Sequence, residues 1–137
     1  MKVYISSRQN KKDYIKEITD ILNKKGYELS FDWTKIPDLK PYQKNEEKSV
    51  KISQEITNSI KKSDLFILIS DSGGTDMFIE LGIAISENLK KGSPKIYCIG
   101  KHNNRSLMLH HPSIKRINSR RIILNNSLFL FSHYFHH

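Results

Sequence analysis

The stretch from Leu65 to Ile99 constrains the fold more than any other part of the chain. Leu65-Phe66-Ile67-Leu68-Ile69 is apolar without alternation, the pattern of a central strand covered on both faces. After Ser70, the turn formers Asp71-Ser72-Gly73-Gly74-Thr75 lead into a helical pattern running to Lys90. Gly92-Ser93-Pro94 then breaks it before a further strand, Lys95 to Ile99. Strand, helix and strand at these lengths make the right-handed crossover of a parallel sheet. The upstream sequence supplies more of the same pattern. Lys2 to Ser6 reads as a first strand closed by Ser6-Ser7-Arg8. Tyr14, Ile15, Ile18, Ile21 and Leu22 mark a helix over Lys11 to Lys25 that stops at Gly26. Tyr27 to Phe31 is a short second strand. Residues 32–46, with Pro37 and Pro41, form a long loop of the kind that serves as a lid or binding loop. Ser49 to Lys62 is a second helix.

The expected fold is therefore α/β: a single Rossmann-like domain with a parallel sheet of four to five strands flanked by helices. At 137 residues, two independent cores would each be too small. The domain is expected over residues 1–119. A fifth strand falls at Ile114 to Ile117 or at Arg121 to Leu124. The segment 120–137, ending SLFLFSHYFHH, reads as an edge strand, an interface segment or a disordered tail. No internal repeat is present. The N-terminus has too short an apolar stretch for a signal peptide, and Ile122 to Phe131, cut by Asn125 and Asn126, is too short to span a bilayer. With one cysteine, Cys98, set in an apolar run, no intramolecular disulfide can form, and a cytoplasmic location is expected.

The formal charge of +9 is unevenly placed. Up to Glu87 there are 14 basic and 14 acidic residues, so the excess comes from nine Lys and Arg in the last fifty residues, which hold no acid. Such a segment attracts phosphates, although a solvated basic face explains it equally well. Neither a nucleic acid nor a membrane is the partner expected here.

In a parallel sheet, ligands bind beyond the carboxyl ends of the strands. Chemistry is accordingly expected where residues 71–80 leave the third strand. Ser6, Ser7 and Arg8 offer hydroxyls, backbone N–H groups and a guanidinium suited to a phosphate. Asp71, Gly73, Gly74 and Thr75 form the second loop, where Gly73 and Gly74 let backbone approach an anion and Thr75 is placed to cap the third helix. A tight turn explains the glycine pair as well. Along the third helix, Met77, Phe78, Leu81, Ala84, Ile85 and Leu89 mark a core face, and Ile79 and Ile83 a second stripe facing a neighbouring subunit. Glu80 lies between the stripes, placed as a partly desolvated nucleophile or base, or else as part of a solvated acidic stripe. Asp64 reads as a turn carboxylate. His110-His111 lacks the spacing of a metal pair, so no metal site is expected. Neither a Walker A sequence nor GxGxxG occurs, which argues against nucleoside triphosphate hydrolysis and dinucleotide reduction.

The string Asp64 to Ala84, DLFILISDSGGTDMFIELGIA, resembles the signature of the nucleoside 2-deoxyribosyltransferase family, most specifically at Glu80-Leu81-Gly82 with Ala84. Val3-Tyr4-Ile5-Ser6-Ser7 is similar to that family's first strand and loop. The resemblance covers roughly residues 1 to 100. It implies a flavodoxin-like sheet, no cofactor, and cleavage of the bond between a base and a ribose or deoxyribose. It further implies Glu80 as nucleophile, Tyr4 as its orienting hydroxyl, and Glu55 as the acid that contacts the sugar, a longer side chain than the aspartate usual there. The first loop resembles the branch of the family that hydrolyses nucleoside 5′-monophosphates. A homodimer or larger homo-oligomer is implied as well. The alternatives are a non-catalytic or TIR-like, NAD-cleaving signalling module and a response-regulator-like phosphoacceptor at Asp71. In the last case the paired acids expected after the first strand are replaced by Ser6-Ser7.

Overall fold

The computed structural model describes residues 1–118; segment 120–137 and the alternative fifth strand at Arg121–Leu124 lie outside them. In chain order the elements are β1 (Lys2–Ser6), α1 (Lys12–Lys24), β2 (Glu28–Leu29), α2 (Glu46–Lys61), β3 (Leu65–Ile69), α3 (Asp76–Lys91), β4 (Lys95–Ile99) and β5 (Ile114–Ile117). The five strands are all parallel and lie side by side in the order β2-β1-β3-β4-β5. That is the flavodoxin-like, doubly wound order, whose connections reverse direction between β1 and β3.

Side-chain alternation divides the core into two layers. Val3, Ile5, Leu65, Ile67 and Ile69 face one side of the sheet, where α1 covers them with Ile15, Ile18 and Leu22. Each of those three buried side chains contributes about 2 kcal/mol, so docking rather than intrinsic propensity holds this Lys-rich helix in place. Tyr4, Phe66 and Leu68 face the other side, under Ile60 of α2 and Met77, Leu81, Ala84 and Ile85 of α3. Tyr4 and Phe66 are register partners and their rings stack at 5.7 Å.

Several boundaries differ from the sequence expectation. The second strand shrinks to two residues because it pairs only at the sheet edge, although the Ser30 N–H still donates to Val3 O at 2.9 Å. The second helix starts three residues early, at Glu46, since Asn45 O accepts the Ser49 N–H at 2.9 Å and two glutamates favour the first turn. Leu89, expected in the core, is 68% exposed. At about 100° per residue Leu89 lies roughly 120° round the helix from Met77, at the margin of the buried stripe formed by Met77, Leu81, Ala84 and Ile85. Among the described residues, no helix is long and apolar enough to cross a membrane.

Candidate active site

Strand alternation decides which side chains meet at the carboxyl edge of β1. Tyr4 and Ser6 lie on the even face of β1, the face that α3 covers, and both are fully buried. Glu80 sits one turn into α3 above them. Tyr4 OH donates to Glu80 Oε1 at 3.0 Å, and Ser6 Oγ donates to the same oxygen at 2.9 Å. Burial pushes the Glu80 carboxyl up to about 7, against the downward pull of the Ser6 and Tyr4 hydrogen bonds; Asp76, one turn earlier on α3, pushes it further up. Burial and the Glu80 charge together drive the Tyr4 phenol far above its ordinary value, so that it remains a donor. The result is a carboxyl group poised near neutrality in the crevice where the strand order reverses.

A second cluster forms on the adjoining loops. Asp71, just past β3, is buried, and its carboxylate accepts from the Gly73 N–H at 2.9 Å. Arg8 Nη1 lies 3.2 Å from Oδ1, and Lys11 Nζ lies 3.0 Å from Oδ2 and donates to Ser70 O at 2.8 Å. Burial raises the Asp71 carboxyl, but the Gly73 N–H, Lys11 and Arg8 together outweigh it and hold the group well below the usual carboxylate range. Arg8 runs across the glycine loop: a Cβ on Gly73 would stand 3.1 Å from Arg8 Nη1. Gly74 has φ +110, and a Cβ there would collide with Met77 Sδ, so only glycine fits this turn.

The structure thus brings Tyr4, Ser6 and Glu80 into one group and Arg8, Asp71, Gly73 and Gly74 into another. Ser6 is the last residue of β1, the strand bound expected from the sequence, and its hydroxyl is taken up by Glu80. Ser7 Oγ donates to Arg8 O at 3.0 Å. Thr75 occupies the capping position of α3 without the expected side-chain bond, because at ψ −64 its backbone departs from the extended geometry that a cap needs. Glu55 is exposed on α2 and takes no part in the Glu80 group. Lys11, which sequence reasoning counted only as a helix residue, is the more buried of the two cations on Asp71. Its position three residues after Arg8 was the available signal, but Asp71 is 60 residues away. Trp33 was also missed as an anchor: from the long loop its Nε1 donates to Ile5 O at 2.8 Å, closing the loop over the end of β1.

A mainly apolar groove of about 470 Å³ starts at Gly74 and runs along α3, between Phe78, Leu81 and Ile85 on one side and Arg105, Leu107 and Met108 on the other. It does not include Glu80. Among the described residues, no cluster of three or more His, Cys, Asp or Glu could hold a metal ion.

No protein-family model matches the sequence, and no curated protein matches it. Among solved structures, the chain is similar to the Clostridium botulinum CMP N-glycosidase BcmB, with a TM-score of 0.65 over 100% of both chains and 17% sequence identity. The resemblance read from the sequence thus extends to the fold of an N-glycosidase.

Proposed function

We propose that this chain cleaves the N-glycosidic bond of a nucleoside 5′-monophosphate, or transfers its ribosyl or deoxyribosyl group, with Glu80 as nucleophile. The observation that carries the reading is the partly buried Glu80 carboxyl, held by two hydroxyls where the strand order reverses between β1 and β3. Ionised Glu80 attacks the anomeric carbon as the carbon–nitrogen bond breaks, and the bonding pair leaves with the base, which takes up a proton. A carboxylate suits the oxocarbenium-like transition state. Water then cleaves the glycosyl ester, freeing the sugar phosphate and regenerating Glu80; a second base as acceptor makes the reaction a transfer. Tyr4 orients the nucleophile. Arg8, whose side chain stays half-exposed beside Asp71, and the backbone of Gly74 are the groups nearest to hand for the phosphate, and the basic excess of the chain favours such a substrate. Glu55 is assigned to the sugar by the family resemblance alone. The protein is expected to act in the cytoplasm as a homodimer or larger assembly.

The test is chromatographic release of free base from nucleosides, their 5′-monophosphates and NAD, with Glu80→Gln alongside. Release from monophosphates is expected, at least about a thousandfold lower in the variant. Because the nucleophile must be ionised, kcat/KM should rise with pH through about 7. Release from NAD alone points to a TIR-like activity. Undiminished release by E80Q removes Glu80 from the mechanism.

A further inference from the structure

We infer that Ser6 is a positioning residue for Glu80 rather than a phosphate ligand, and that Ser6 and Tyr4 together reserve Oε2 of Glu80 as the attacking oxygen. The inference rests on the function proposed above. Its basis is the convergence of two hydroxyl donors, Tyr4 OH at 3.0 Å and Ser6 Oγ at 2.9 Å, on the single oxygen Oε1. Among the described residues, Oε2 takes no hydrogen bond. Two donors on one oxygen prevent the carboxylate plane from turning freely and leave the lone pairs of the other oxygen for an electrophile. Ser6 cannot reach out to a phosphate from this position. It is fully buried, its side chain is set by strand alternation on the α3 side, and its hydroxyl hydrogen is already given to Glu80.

A hydrogen bond to a carboxylate favours the ionised form. Ser6 therefore opposes the burial that favours the protonated acid, and it keeps a larger fraction of Glu80 ionised near neutral pH. The other groups acting on Glu80 are Tyr4 from β1 and Asp76 from its own helix.

The experiment compares wild type with Ser6→Ala in two readouts. With 5′-monophosphate substrate, S6A is expected to lower kcat about tenfold at pH 7 and to move the acidic limb of the pH profile up by about one unit, with KM changed less than about twofold. A raised KM at unchanged kcat would make Ser6 a substrate ligand and overturn the proposal. Independently of any activity, carbon-13 NMR of the Glu80 carboxyl in the unliganded protein should show its titration moving up in S6A. An unmoved titration overturns the proposal even if turnover falls. Absence of turnover in the wild type would count against the proposed function alone, since the titration still judges Ser6. If S6A does not fold, Ser6→Cys, with its weaker donor, takes its place and should move the titration in the same direction; no movement there is equally decisive.

Discussion

Asp71 and its two cations show how burial, more than formal charge, sets the worth of a contact. Its side chain is only 9% exposed; the Lys11 side chain on one oxygen is 14% exposed, whereas the Arg8 side chain on the other is 46% exposed. Lys11→Ala leaves a buried carboxylate short of a donor and is expected to cost about 2 kcal/mol. Arg8→Ala should cost less than about 1 kcal/mol in stability, because water screens that contact, while weakening monophosphate binding more than nucleoside binding. Urea unfolding and ligand titration of both variants check this; equal stability losses would contradict it. The identity of the groups at this end of the sheet was legible in the sequence, because Ser6-Ser7-Arg8 and Asp71 to Thr75 follow recognisable strands. Their partners were not. Whether Arg8 meets a ligand or Asp71, and whether Ser6 faces solvent or Glu80, depends on strand direction and register.

Among the elements, α3 and the turn before it carry the most constraint. Gly74 and Gly82 are both glycines of this unit, yet their surroundings predict opposite outcomes. Gly74→Ala meets a positive φ and the Met77 sulfur, so it should destabilise the protein and misplace the loop beside Arg8 and Asp71. Gly82 is helical and exposed, and a Cβ there meets nothing within 4 Å. Gly82→Ala should therefore stabilise the monomer fold by about 0.5–1 kcal/mol through helix propensity. Comparison of urea midpoints checks both signs. The helices were legible as periodic apolar patterns; the start of α2 slipped where the Asn45 carbonyl accepts the Ser49 N–H, and the expected core face of α3 failed at Leu89, in its last two turns.

On the scale of the molecule, the outer face of α3 is the feature that an isolated chain leaves unexplained. Asp76, Ile79, Ile83, Ser86 and Lys90 follow one another at spacings of three and four, the seam of two paired helices. Ile79 is 62% exposed. Antiparallel pairing about Ile83 would set Asp76 of one protomer against Lys90 of its partner, so the face would complement itself in charge. Sedimentation at micromolar concentration should show a dimer or larger species for the wild type and a monomer for Ile79→Lys; a monomeric wild type would contradict this. The sequence by itself determined the α/β class, the parallel crossovers and the loops at which chemistry is expected, because periodicity, glycines and apolar runs act locally along the chain. Only the tertiary structure chose Ile114–Ile117 as the strand beside β4, placed Tyr4 and Ser6 on one oxygen of Glu80, and joined Lys11 to Asp71. These contacts join residues far apart in sequence, and strand order and side-chain alternation, rather than local propensity, decide which of them meet.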